Sequence, residues 1–402
     1  MRSIRCLAWI AVIATILAAW PTAGWAIPAF ARKYGFNCTM CHVQFPRLND
    51  FGERFRDNGY HVMGKEAEDM DVMDAGVPPI SARTMIGYFN NDVDNPGSPV
   101  NNDLNQFQID GLDLFAGGVM SPSAGFFLAY LPKIDGSRGV APQDARLEQG
   151  NVVLIMRKQR WMGNLRVGRF EPAYVPISAL RTYTRAPYEI LDFPGVIAMP
   201  LSQTQTGLEL VARVGQGWRF AGGSVNGSDS LEDNDSPNTF YVRASKSFCG
   251  DGASSGYRVG AQALTGKARA ALTGDKEDWT QWAVDTSLVF GPTTVLAQYA
   301  QGTADSRLNV FSTARDYDWN GMLVEVDHAL CQTAVAFARY GLVNTPSEQS
   351  QDITRWTIGA RQYLMDHIAV ALEYSHQKTE HGAVSGGDLK SNNLSLAFDM
   401  AF

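Results

Sequence analysis

From Ser81 to Phe402 the chain alternates apolar and polar residues with a period of two, in segments of roughly 9–14 residues. In the last segment Leu394, Leu396, Phe398, Met400 and Phe402 share one face, while Ser395, Ala397, Asp399 and Ala401 share the other. Trp282, Val284, Thr286, Leu288 and Phe290 oppose Gln281, Ala283, Asp285 and Ser287 in the same way. Leu208, Leu210, Ala212 and Val214 oppose Gly207, Glu209, Val211 and Arg213, and Ile368, Val370, Leu372 and Tyr374 oppose Ala369, Ala371, Glu373 and Ser375. Because successive side chains of a strand point to opposite faces, each segment reads as a strand with one apolar and one polar side. One face suits lipid and the other suits water.

About 16 such segments are counted, beginning near residues 81, 104, 125, 145, 162, 204, 218, 238, 256, 278, 293, 317, 333, 351, 367 and 389. The segment from 104 changes phase around Gly111, and the one from 333 fits either face. Short connections (Gly215-Gln216-Gly217, Gly291-Pro292, 364–366) alternate with long ones (91–103, 134–144, 171–203, 227–237, 266–277, 303–316, 379–388). Short inner turns and long outer loops have this parity in bacterial barrels, which would place both barrel termini on the periplasmic side. The terminal Phe402 resembles the C-terminal signal of bacterial outer-membrane barrels. The expected fold class is mainly β, an antiparallel outer-membrane β-barrel of about 16 strands over 81–402, preceded by a small α-helical segment.

Composition sharpens this picture. The 402 residues are 45% hydrophobic and only 19% charged, with 38 glycines, which excludes a disordered chain. The net charge of −7 excludes a strongly basic nucleic-acid binder. Residues 1–26 read as a signal peptide, with Arg2 and Arg5 before an apolar stretch from Leu7 to Trp20 and Gly24-Trp25-Ala26 at the cleavage site. Cys6 lies inside this stretch, far from that site, which argues against a lipoprotein anchor. Cys38, Cys41, Cys249 and Cys331 are then read for an oxidising compartment. Cys249 and Cys331 fall on separate turns too far apart around a barrel to bridge, and are expected to be unpaired.

The chemistry sits in Cys38-Thr39-Met40-Cys41-His42, the C-x-x-C-H pattern of covalent c-type haem attachment. Two thiols one helical turn apart can add to the two vinyl groups, while the adjacent imidazole of His42 ligates the iron as its proximal axial ligand. A structural zinc site would want two further Cys or His ligands nearby, and no second pair exists; a plain disulfide is the other alternative. Pro46 would open a helix with Leu48, Phe51 and Phe55 on one face, stopped at Asn58-Gly59. Phe45, Phe51 and Phe55 would pack on the porphyrin. Met63 or His61 is the expected distal ligand, with Met70 and Met73 further on. The segment over 27–63 would thus carry one haem c. The acidic stretch over 64–80 (Glu66, Glu68, Asp69, Asp71, Asp74) reads as a solvated linker or as a docking face for a basic electron carrier.

Residues 28–35 (Pro-Ala-Phe-Ala-Arg-Lys-Tyr-Gly), the haem pentad, Phe45-Pro46-Arg47-Leu48-Asn49-Asp50-Phe51-Gly52 and Gly59-Tyr60 together resemble the fused monohaem cytochrome c–porin outer-membrane iron oxidases. Lys33-Tyr34 stand where that pattern would have Gln-Thr, and over the barrel the likeness is one of architecture. The resemblance implies an oxidoreductase that takes electrons from extracellular Fe(II) and passes them singly through haem c to a periplasmic carrier such as a soluble cytochrome c. The alternatives are an electron conduit with another donor or the outward direction, a haem-gated diffusion porin, and a haem peroxidase.

An insulating apolar band about 25 Å tall makes the fusion intelligible, since the segment could lodge in the aqueous lumen as a plug. Glu209, Arg213, Arg243, Asp285, Glu325, Asp327, Glu373 and Asp399 would hold it there or simply line the pore. The 171–203 connection follows the fifth strand, as does the loop that folds into the lumen of general porins; it is read as such a loop or as a surface loop. Its Arg181 and Arg185 would pair with haem propionates or plug acids. Asp229, Glu232, Asp233 and Asp235 would attract Fe2+, or serve solubility and bridging to lipopolysaccharide. His376 and His381 read as surface histidines or a weak metal site.

Overall fold

The computed structural model describes residues 29–44, 47–65, 79–94, 103–132, 145–158, 161–174, 177–178, 180–181, 184–193, 201–227, 239–248, 255–269, 276–304, 317–345, 351–365, 367–381 and 387–402. Residues 1–26, Phe45, Pro46, the acidic stretch from Glu66 to Asp74, Cys249 and the acidic loop from Asp229 to Asp235 lie outside the described residues.

Two short strands, β1 (His42–Gln44) and β2 (Arg47–Leu48), pair near the N-terminus. The barrel strands follow: β3 (Ile80–Asp94), β4 (Leu104–Ser121), β5 (Ala124–Leu131), β6 (Arg146–Lys158), β7 (Trp161–Phe170), β8 (Gln205–Val214), β9 (Trp218–Val225) and β10 (Thr239–Phe248). They continue as β11 (Ser255–Arg269), β12 (Lys276–Phe290), β13 (Thr293–Ala304), β14 (Tyr317–Cys331), β15 (Ala334–Asn344), β16 (Gln351–Met365), β17 (Ile368–His381) and β18 (Leu389–Ala401). Among the described residues these sixteen strands, each antiparallel to the next, form one closed barrel, with β18 pairing back onto β3. Each begins within a residue or two of the position that the alternation marks. Closure leaves no strand edge unpaired, the condition for a sheet to stand in an apolar medium. Phe402 helps close it: its backbone N–H donates to the Ala82 carbonyl at 2.8 Å and its carbonyl accepts from Ala82 at 2.6 Å.

The two faces separate as the sequence requires. Leu208, Leu210, Trp282, Val284, Ile358, Leu372 and Phe398 are exposed on the outside, while Glu209, Asp285, Glu373 and Asp399 are buried within. The phase change at Gly111 is a β-bulge: the register with β3 slips between Thr84 and Ile86, and Gly111 takes φ +114°.

Among the described residues, two elements enter the lumen. The first is the connection after β7: of the two readings of it, the structure shows the loop folded into the lumen and not the surface loop. Its Tyr174, Ile177, Tyr188, Ile190, Leu191 and Leu201 form one buried cluster with wall residues Tyr241, Leu264, Trp279, Leu296, Trp319 and Leu323. The second is the N-terminal segment, with three short helices among its described residues: α1 (Ala29–Tyr34), α2 (Cys38–Cys41) and α3 (Asp50–Asp57). The α3 helix starts at Asp50, not at Pro46. Asn49 caps it by accepting the Gly52 N–H at 2.8 Å, and Leu48 belongs to β2. It stops where the sequence says, at Asn58, followed by Gly59 at φ +60°.

Candidate functional site

The N-terminal segment is fastened to the inner wall by charge. Asp57, fully buried at the end of α3, accepts from Arg213 Nε at 2.7 Å and Arg219 Nε at 2.8 Å. Glu53, one turn earlier, accepts from Arg258 Nη1 at 2.9 Å. Arg47 pairs with Glu325 and Asp327 on β14. Asn164 donates to the Asp57 carbonyl at 2.7 Å, and Arg157 to Asn58 Oδ1 at 2.8 Å. These partners lie on β6, β7, β8, β9, β11 and β14, on several sides of the lumen, and most sit near the short turns. The segment is therefore a plug inside the barrel at its short-turn end.

Burial alone would raise the Asp57 carboxyl, but Arg219 and Arg213 hold it well below the usual carboxylate range. Burial likewise pushes Glu53 up, and Arg258, Arg219 and Arg213 together outweigh it, leaving the group at about 2. Contact is also tight. A Cβ on Gly125 of β5 would stand 2.1 Å from the Gly59 carbonyl oxygen, and Tyr60 packs on Phe127 with centroids 5.9 Å apart.

Between the plug and β3–β6 lies a cavity of about 430 Å³. Cys41 and His42 lie on its wall beside Leu48, so the second cysteine and the histidine of the pentad face the same space. Phe30, Phe36, Phe55, Tyr60, Phe115 and Phe127 supply an aromatic lining, and Arg56, Arg83 and Arg181 bring cationic groups. The walls are braced by ring contacts: Phe30 stacks on Tyr60 at 4.9 Å and meets Phe55 edge-on at 5.3 Å. Gly52 is required behind this wall, because a Cβ there would stand 2.1 Å from the Cys41 carbonyl oxygen. A thiol and an imidazole in successive positions, apolar aromatic walls and nearby guanidiniums suit a flat, covalently attached, acid-bearing cofactor. Cys41 and His42 would hold it. Cys38 begins α2, but its side chain lies outside the described residues.

The remaining expected residues divide. Phe55 lines the cavity; Phe51 stands behind it, stacked on Phe55 at 6.4 Å and edge-on to Phe36 at 5.9 Å. Neither expected distal ligand is on the cavity wall: His61 is fully buried elsewhere in the plug, and Met63 is 49% exposed. Of the eight lumen residues, Arg213, Glu325 and Asp327 hold the plug. Others pair within the wall: Glu209 with Arg166 at 2.9 Å, Arg243 with Asp285 at 2.6 Å, and Asp399 with Arg83 at 2.8 Å. Glu373 accepts the backbone N–H groups of Arg185 and Ala186 and so anchors the lumen loop. Arg181 reaches the cavity while pairing with Glu171, whereas Arg185 stacks on Phe89 at 3.9 Å, away from it. Arg219, Arg258 and Asn164 were not singled out in the sequence, although the alternation Trp218-Arg219-Phe220 marks Arg219 as inward-facing. Cys331 is an exposed free thiol, and His376 bonds Asn392 at 2.9 Å.

No protein-family model and no protein of curated function matches the chain. Solved structures do. The anion-selective porin from Comamonas acidovorans aligns with TM-score 0.59 at 12% identity, over 80% of this chain and 99% of its own. The barrel is porin-like. The outer membrane channel DcaP of Acinetobacter baumannii gives 0.57 at 10% identity (80% and 97%), and Salmonella typhi OmpF in complex with daunomycin gives 0.56 at 12% (80% and 97%). At these identities the likeness shows the fold alone.

Proposed function

We propose that the chain is a bacterial outer-membrane barrel of porin type whose plug carries one haem c, and that it passes single electrons between an outside donor and a periplasmic carrier. The observation that carries this reading is the placing of Cys41 and His42, from one C-x-x-C-H pentad, on the wall of one lumenal cavity. Haem bound there supplies a one-electron iron couple. Cys38 and Cys41 would attach it, His42 would ligate the iron, and Arg56, Arg83 and Arg181 would neutralise its carboxylates. Phe30, Phe55, Phe115 and Phe127 would keep water from its face. The cavity lies near the short turns, so a donor at the long-loop end must reach it past the loop after β7. Fe(II) is the donor implied by the resemblance of the N-terminal segment; another donor or outward flow uses the same residues.

The fold comparisons speak more directly for a second reading, a diffusion porin, since the similar structures are channels and porins by title. In that reading the plug gates the pore. Bilayer recordings together with stopped-flow mixing with Fe(II) separate the two. Negligible conductance with prompt growth of reduced-haem bands supports electron transfer. Steady open-pore conductance with no haem band moved by Fe(II) or dithionite leaves a porin.

A further inference from the structure

A second, smaller pocket of about 60 Å³ lies beside the cavity, lined by the plug, the start of the lumen loop and the wall. Its lining presents six guanidiniums, those of Arg47, Arg56, Arg181, Arg219, Arg243 and Arg258, against two carboxylates, Glu53 and Glu171. The other acids that pair with these arginines, Asp57, Asp285, Glu325 and Asp327, do not line the pocket. Each guanidinium has five N–H donors, so donors there outnumber acceptors. The excess shows in the hydrogen bonds: Arg56 Nε and Arg258 Nε are buried N–H groups with no acceptor among the described residues. A buried donor left unsatisfied is costly, the more so when charged, so such donors on the arginines of this pocket favour an acceptor there.

We propose that this pocket binds one small tetrahedral oxyanion of the phosphate or sulfate class. The guanidinium fork matches such oxygens two at a time, and the volume suits a single small ion. Arg56 is the central donor: the carboxylate of Glu171, 3.8 Å away, is shared with Arg181. Burial first, and then the neighbouring Arg181 and Arg166, lower Arg56 to about 10, which leaves it protonated at neutral pH. The bound ion would tie plug, loop and wall together.

The site stands apart from the haem reading except in one respect. Arg56 and Arg181 line both the pocket and the larger cavity, so the oxygens could come from a free ion or from an attached cofactor's carboxylates. The test is calorimetric titration of the full-length, detergent-purified protein with inorganic phosphate, beside Arg56→Gln, Arg181→Gln and a Cys38→Ser/Cys41→Ser variant. Saturable uptake of one phosphate per wild-type chain, weakened about tenfold or more in either folded arginine variant, is the expected result. Uptake in the cysteine variant but not in wild type would overturn the free-ion site and give its donors to the cofactor. No saturable uptake in either, or uptake that both arginine variants leave unchanged, would overturn the site altogether.

Discussion

Replacing Asp57 with alanine would leave buried Arg219 and half-buried Arg213 without their shared carboxylate. Breaking a buried pair in this way typically costs about 3–5 kcal/mol, and the loss should fall on plug docking, because the barrel's own ladder is untouched. Limited proteolysis should then cut within α3 while heat-modifiable migration still reports a folded barrel; unchanged protection would remove Asp57 from the docking account. Glu53 adds a pH dependence of known sign. Its carboxyl is depressed from 4.5 to about 2, so its contribution is complete above about pH 4.5 and is lost as pH falls toward 2. Pepsin sensitivity of the plug should accordingly rise between pH 4.5 and 2, and Glu53→Gln should flatten that rise. At this scale the pentad is legible because its chemistry is local. Inward-facing Arg213 is legible from alternation. Its partner is not, since Asp57 meets it across 156 residues, a distance only the closed barrel can bridge.

Elements meet through backbone as well as charge. Gly125→Ala would drive a methyl group toward the Gly59 carbonyl, whose main-chain atoms have nowhere to turn. Overpacking of this kind costs about 1–3 kcal/mol. Hydrogen exchange should quicken over residues 55–61, with the barrel strands unaffected. The lumen loop is held differently: Arg339 donates to Thr184 Oγ1 at 2.9 Å and to the carbonyls of Ala186 and Pro187 at 2.7 and 3.0 Å. Arg339→Ala should loosen this loop and raise ion conductance, while conductance unchanged from wild type would mean that the plug alone closes the pore. Strand number and starts were readable because a half-buried strand writes its register into every second residue. Whether the long connection folded inward was not, because its Tyr174, Ile190 and Leu191 find their apolar partners on distant strands.

On the scale of the whole molecule, the barrel is porin-like, and among the described residues two elements in its lumen share a charged interface. Arg56 of the plug and Arg181 of the loop both approach Glu171, so displacement of one element should be felt by the other. The most direct measurement of the central proposal is the intact mass and visible spectrum of the protein purified from outer membranes and then denatured. Covalent attachment predicts a chain heavier by one haem, with reduced c-type bands that persist through denaturation and vanish in Cys38→Ser/Cys41→Ser. A mass equal to the bare processed polypeptide, with no such bands, would contradict the electron-transfer account and leave a plugged porin.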